Sequence, residues 1–336
     1  MVIVAVDANG VERGTQTLID GVRSAVGDGI GIRAFGDPLR LESLKELPGV
    51  EVIAAPAAIS NSEEPVAAVR TREDASIVRA ARDVAGGTSQ ALVSAGPTGA
   101  TMAAALFALR RISGVRRPAL AAQLPTPGRQ GPPALLLDVG ANADVRFQDL
   151  VQFGVMGAAF ARVVIGLASP RVALLSVGEE DKKGTPIVVD AHTRLAGLDG
   201  VDFVGNVEGR DLLTGKADVI VTDGFTGNVT LKTLEGTAKA VAGAVAGAAR
   251  SNPAAALGGL LLRPALGGLR REMDPDMTGG AILLGLRGVT VVAHGSSGPD
   301  GIANAIRLAA RSVSDRAVER TGELLGEVGA TRGDLT

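Results

Sequence analysis

The feature that most constrains this chain is an alternation. Short runs of apolar, mostly β-branched residues recur between longer alanine-rich stretches whose apolar residues keep helical spacing. The runs fall at residues 2–6, 30–35, 50–54, 91–94, 134–138, 171–177, 201–204, 219–222 and 289–293, and ALLLD, RVALLSV and DVIVTD are apolar almost throughout. A strand without a polar face is covered on both sides, which is the situation of a parallel strand in an α/β protein. The segments 73–85, 98–111, 150–165 and 228–249 then supply the covering helices. The expected fold class is α/β, with a central and mostly parallel sheet.

Composition narrows the function. With 336 residues, 46% hydrophobic and 21% charged, the chain can build a sizeable core. Nothing resembling a linker or an internal repeat divides it, so residues 1–336 are expected to form a single catalytic unit, two lobes sharing one sheet. Aromatic residues make up 2%, too few for the stacking platforms of single-stranded nucleic-acid binders. A net charge of −2 gives no global field for polyanions, and no nucleic-acid partner is expected. The absence of cysteine excludes thiolate nucleophiles and disulfides, and two histidines, His192 and His294, do not make a histidine-rich metal centre. The N-terminus MVIVAVDANG reads as a first strand and not as a signal peptide, which makes a cytoplasmic location the default expectation; no transmembrane helix is expected either.

Glycine occurs 46 times, about twice average usage, and often just after a strand, where α/β proteins bind ligands. Five such loops stand out. SAGPTGA (94–100) places Ser94, Gly96, Thr98 and Gly99 at a helix start, either as an anion cradle or as a capped βα turn. Pro97 suits a helix start but removes one N–H. LLLDVGANAD (135–144) sets Asp138 at a strand end with Gly140 and Asn142 after it, residues that also serve turns. SVGEEDKKG (176–184) brings Lys182 and Lys183 to a strand end, as phosphate ligands or as part of a solvated charge cluster. VTDGFTGNVTLKTLEG (221–236) offers Thr226 or Asn228 as a helix cap, with Lys232 further along the helix. VVAHGSSG (291–298) places His294 and Ser296 at another strand end, where His294 is an acid–base candidate or a structural histidine. G-x-S-x-G, G-x-G-x-x-G after the first strand, and G-x-x-x-x-G-K-[ST] are all missing. Phosphate is the favoured ligand.

At these loops the chain resembles the PlsX family of phosphate acyltransferases. The resemblance runs nearly end to end through EPVAAVRTREDASIVRAAR, SAGPTGATMAAALF, RPALAAQLPT, LLLDVGANADV, GNVEGRDLLTGKADVIVTDGFTGNVTLKTLEGTAKA, GGAILLGLRGVTVVAHGSS and NAIRLA. The chain departs from the family's usual VDAMGGD, reading VDANGVERG at 6–14, and has Pro97 where SAGNTGA is usual.

The resemblance implies a three-layer α/β/α sandwich similar to phosphotransacetylases and isocitrate-type dehydrogenases, and a homodimer. It implies transfer of a fatty acyl group from an acyl carrier protein thioester to inorganic phosphate, without cofactor or metal. The product would pass to a downstream glycerol-3-phosphate acyltransferase for phospholipid synthesis. On this basis Lys183, His294 and Asn228 are expected to be catalytic. Substrate would be bound by Ser94, Gly96, Thr98, Gly99, Asp138, Asn142, Lys182, Asn206, Asp223, Thr226, Gly227, Lys232 and Ser296. Asn142, Asn228 or His294 would donate to the thioester oxyanion. Residues 251–273, apolar with Arg263, Arg270 and Arg271 spaced along them, would protrude as a membrane-contact or dimer segment, placing the enzyme peripherally on the inner face of the membrane. Two rivals are a CoA-dependent phosphotransacylase and a non-catalytic homologue that binds carrier protein or membrane.

Overall fold

A computed structural model describes residues 1–126, 131–272 and 274–335. Met273 and the side chains of Arg270 and Arg271 lie outside the described residues. The strands are β1 (Ile3–Asp7), β2 (Gly31–Gly36), β3 (Val50–Ala54), β4 (Ala91–Ser94), β5 (Ala119–Leu124), β6 (Ala134–Leu137), β7 (Arg171–Leu175), β8 (Asp202–Val207), β9 (Val219–Val221), β10 (Ala281–Leu284) and β11 (Val289–Val292). The helices are α1 (Thr15–Val26), α2 (Pro65–Thr71), α3 (Ser76–Ala85), α4 (Thr98–Leu109), α5 (Phe147–Phe160), α6 (Pro186–Ala196), α7 (Gly224–Ala248), α8 (Pro253–Glu272), α9 (Pro299–Ser314) and α10 (Ala317–Glu327).

All eleven strands join one sheet in the order β3-β2-β1-β4-β11-β10-β5-β6-β9-β7-β8. The five strands on one side of β10 run parallel to one another, as do the four from β6 to β8. Between them β10 and β5 pair antiparallel with each other and with their outer neighbours. Three successive reversals leave the two parallel groups pointing in opposite directions. The carboxyl ends of β1, β4 and β11 therefore form one edge of the sheet, and those of β6, β9, β7 and β8 form the other.

The α/β class holds, and the two strands that the sequence reading lacks are these central ones. β5 reads ALAAQL, with alanine where branched residues would signal a strand. β10 is four residues long and follows Gly279 and Gly280.

Helices cover both faces. One buried cluster joins α1, α5, α6, α9 and α10 to the sheet, and a second joins α2, α3 and α4 to the opposite face. The continuously apolar strands are explained by this double cover. The helical stretch Phe147–Ile165 is long and apolar enough to cross a membrane, but most of it is buried in the first cluster, so it is a core helix. Phe153 and Phe160 are fully buried there and are among the largest side chains of the core. Phe153→Ala should lower unfolding stability by about 3–5 kcal/mol in urea titrations, through lost burial and the cavity left behind.

Candidate active site

At the first edge, β4 and β11 end side by side, with the Ala293 N–H donating to the Ser94 carbonyl at 2.8 Å. Asp7 ends β1 beside them at 3% exposure. Its carboxylate accepts from Ser76 Oγ at 2.6 Å and from Ser94 Oγ at 2.7 Å. Burial pushes the Asp7 carboxyl above its ordinary range, while the bonds from Ser76, Ser94 and the Asn9 amide pull the other way.

The loop after β1 lies on SAGPTGA with no room between them: a Cβ on Gly10 would stand 2.1 Å from Gly96 Cα. The Gly96 N–H donates to Ser94 Oγ at 3.0 Å, so Ser94 and Gly96 spend their polar groups inside the fold and not on a ligand. The start of α4 differs. It carries no side-chain cap and no acid in its first turn, and this leaves the amides of Thr98 and Gly99 open toward an anion. A small pocket lined by Asp7, Asn9, Ser76, Pro97 and Thr101 adjoins it.

His294 follows β11 at the same edge. Its Nδ1 lies 2.7 Å from Ser296 Oγ and receives the Ser296 backbone N–H at 3.2 Å. A backbone N–H can only donate, so this network assigns the ring proton to Nε2. Nε2 stands 3.3 Å from Lys232 Nζ, which also pairs with Glu235 Oε2 at 3.0 Å. An Nε2–H and an ammonium facing the same volume are two donors awaiting an acceptor, a geometry that suits an anion. Asp7, Ser76 and Glu235 were not singled out by sequence. Asp7 alone left a signal, as the acid that ends the first strand.

The second edge is built around Asp138, which is fully buried. Its Oδ1 accepts from the amides of Leu120, Gly140 and Ala141 at 3.0, 3.1 and 2.9 Å. Its Oδ2 accepts from the Asn142 amide at 2.7 Å and Asn142 Nδ2 at 2.8 Å. The glycine-rich loop is thus an anion nest, and its anion is the chain's own carboxylate. Burial pushes the Asp138 carboxyl up and these donors pull it back.

This corrects several expectations. The Asn142 amide is spent on Asp138 and on the Pro118 carbonyl at 2.7 Å, so it cannot donate to an oxyanion. Asp223 caps α7, accepting from Thr226 N at 2.8 Å and Thr226 Oγ at 2.7 Å, so Asp223 and Thr226 satisfy each other. Gly227 serves packing, since a Cβ there would stand 1.8 Å from the Asp138 carbonyl oxygen.

Asn228 is exposed one turn into α7, facing Gly140. Lys182 and Lys183 are exposed on the loop after β7, and neither meets a carboxylate among the described residues. That loop is fixed: Ser176 Oγ donates to the Lys183 carbonyl and Asn206 Nδ2 to the Glu180 carbonyl, both at 2.9 Å. Asn206 is itself buried and bonded to His192 Nδ1 at 3.0 Å, so it braces the loop from below.

The expected residues therefore divide between the two edges, and Lys183 and His294 do not meet. Helix α7 links the edges. It starts against Asp138 and presents Lys232 to His294 eight residues later, a rise of ~12 Å.

Residues 2–320 match the family model described as fatty acid synthesis protein. The phosphate acyltransferase of Elusimicrobium minutum is 45% identical over 317 residues, covering 92% of each chain. That of Bacillus subtilis is 42% identical over 315 residues, covering 93% of this chain and 94% of the relative. The chain belongs to the PlsX family of phosphate acyltransferases.

Two solved structures share the family member's fold: EutD phosphotransacetylase from Staphylococcus aureus (TM-score 0.58, 16% identity, 93% of this chain and 94% of that one) and a branched-chain phosphotransacylase from Enterococcus faecalis (TM-score 0.59, 17% identity, 93% and 99%). The same sheet architecture thus recurs in them, at identities too low to carry residue roles.

Burial makes the ionised form of Asp7 the costly one in this PlsX-family fold. Its contribution to stability is complete below the ordinary aspartate value of about 3.9 and is lost as pH rises through the raised native value. Asp7→Asn carries no such term. Its stability relative to the parent should improve as pH is raised from about 4 to about 8 in urea titrations. A constant difference across that range would mean that Asp7 titrates normally.

Proposed function

We propose that this enzyme transfers a fatty acyl group from an acyl carrier protein thioester to inorganic phosphate. A phosphate oxygen attacks the thioester carbon, the carbonyl becomes a tetrahedral oxyanion, and collapse releases acyl phosphate and the carrier thiol, which takes the proton that phosphate gives up. Phosphate is the nucleophile and the thiolate is a competent leaving group, so positioning and charge stabilisation are what the protein must supply. The observation that carries this reading is the Lys232–His294 pair: two donors 3.3 Å apart, on the strand end next to the uncapped start of α4. One phosphate oxygen accepts from both, with the Thr98 and Gly99 amides at the anion's margin, while the Ser296 hydroxyl donates to His294 Nδ1 and holds the ring. Asn228 and the braced Lys182–Lys183 loop face the acyl donor from the second edge.

The acyl phosphate would be consumed by a downstream glycerol-3-phosphate acyltransferase, and the enzyme would act as a homodimer. Trapping acyl phosphate as its hydroxamate, with and without phosphate, measures the reaction. His294→Ala should lower phosphate-dependent turnover by ~10²–10³, the usual loss when one preorganised donor to the reacting groups is removed, and Lys183→Ala by at least about ten-fold. Rates within a few-fold of the parent for both variants would refute these assignments.

We also assign the α7–α8 hairpin to peripheral contact with the inner face of the membrane. Beyond residue 236 nearly every position of α7 is exposed, and Leu260, Leu261 and Leu262 of α8 are 61%, 74% and 57% exposed, with Arg263 beside them. Apolar turns flanked by arginine suit an anionic bilayer surface. Leu261→Glu combined with Leu262→Glu should abolish flotation with anionic liposomes while leaving the soluble hydroxamate reaction intact. Flotation equal to the parent's would remove the hairpin from membrane contact.

A further inference from the structure

The chain is nearly neutral, yet its arginines are not evenly spread. At the second edge, where β10 ends, β5 begins and the Asp138 loop turns, six exposed arginines converge: Arg110, Arg111, Arg117, Arg146, Arg287 and Arg332. They come from five segments that the fold ties together. The Arg287 N–H donates to the Arg110 carbonyl at 3.0 Å, and Arg287 Nε donates to the Arg111 carbonyl at 3.1 Å. The Arg332 N–H donates to the Gly114 carbonyl at 2.7 Å, and Arg117 reaches the Asp144 carbonyl at 3.2 Å.

Carboxylates are scarce here. Asp149 is buried and taken up by Arg116 at 3.0 Å, with Arg117 at 3.9 Å. The Asp334 carboxylate is bound by the Thr331 amide and hydroxyl, and the exposed Asp144 offers Arg117 its backbone carbonyl. The guanidinium groups of Arg110, Arg111, Arg146, Arg287 and Arg332 form no ion pair among the described residues, and only the backbone N–H of Arg146 reaches an acid, Asp149.

Two features separate this surface from an ordinary solvated face. The loop that carries it is held rigidly from inside by fully buried Gln152, which accepts the Arg116 N–H at 2.8 Å and donates to the Gly114 and Ala330 carbonyls at 2.8 and 2.9 Å. Arg110 stands at φ 60° and ψ 171°, a backbone region that only glycine visits freely. The fold fixes like charges together and holds one of them in a strained conformation, and backbone carbonyls, not carboxylates, meet the guanidinium groups of Arg111 and Arg287.

We propose that this arginine platform is the docking surface for an acidic protein, which on the reading given above is the carrier that brings the thioester. The inference rests on that reading for the partner's identity and on charge complementarity for the contact. The platform shares its edge of the sheet with Asn228 and the Lys182–Lys183 loop, so a partner seated on the arginines lies beside the groups assigned to the acyl donor. The α7–α8 hairpin, in contrast, returns to the sheet at the start of β10, the opposite edge from Arg287. A bilayer touching the hairpin therefore leaves the platform facing away from the lipid.

The test uses full-length protein and the double variant Arg110→Glu with Arg287→Glu, with Arg110→Gln and Arg287→Gln as milder companions should the charge reversal impair folding. Two acyl donors are compared: long-chain acyl carrier protein, and the same acyl group on pantetheine, which carries no charge. The expected result is a KM for the protein-borne donor raised at least about ten-fold, a flatter dependence on salt, and pantetheine turnover within two-fold of the parent.

Unchanged kinetics with the carrier overturn the proposal, as does equal loss with both donors. Loss of liposome flotation with carrier kinetics intact also overturns it and makes the platform a lipid contact. Should the parent transfer no acyl group from either donor, the function proposed above fails by itself. Fluorescence anisotropy of labelled carrier protein against parent and variant then decides docking without turnover: weaker binding by the variant sustains the platform, and equal binding sinks it.

Discussion

The carboxylate of Asp138 is the point on which the second half of the molecule is hung. Five donors converge on it from β5, from the loop after β6 and from the Asn142 side chain, and α7 begins directly against that loop. A buried carboxylate is tolerated only when its lone pairs are filled, and here filling them ties β5 to the loop after β6. The approach of α7 depends on the same point, because Gly227 and Gly224 let the helix backbone touch the caged loop. From that start the helix axis is set, and with it the place where Lys232 meets His294.

A second consequence concerns anion cradles. Glycine-rich loops and helix starts are natural anion sites, and this fold has several. Asp138 fills one, Asp223 caps α7, and Asp276 accepts the Gly298 N–H at 2.8 Å at the start of α9. The chain's own acids fill these sites, whereas α1, α3, α4 and α6 begin without a side-chain cap, and of these α4 follows the strand paired with the one that leads to His294.

The antiparallel pair β10 and β5 is what gives the molecule two working edges. Without that reversal every strand-end loop would gather on one side, as in a singly directed parallel sheet. With it, His294 and the start of α4 lie at one edge and the lysine loop and arginine platform at the other, joined by α7. The hairpin proposed for membrane contact and the proposed carrier surface are thereby kept apart.

Much of this was legible in the residues. Continuous apolar strands spaced by alanine-rich helices determined the α/β class, because covered strands and amphipathic helices leave period and composition in the chain itself. The strand-end loops were legible too, and at one of them the fold brings His294, Ser296 and Lys232 together. β5 and β10 were not, since ALAAQL carries no β-branched residues and AILL is too short to signal a strand. Nor could the sequence tell an open cradle from a filled one: LLLDVGAN looks like a ligand loop until the Asp138 carboxylate is seen inside it. The division of the site between two edges and the gathering of six arginines from five segments belong to tertiary structure alone. Local pattern encodes which groups are available, whereas strand direction and long-range hydrogen bonds decide which of them meet and which are already satisfied.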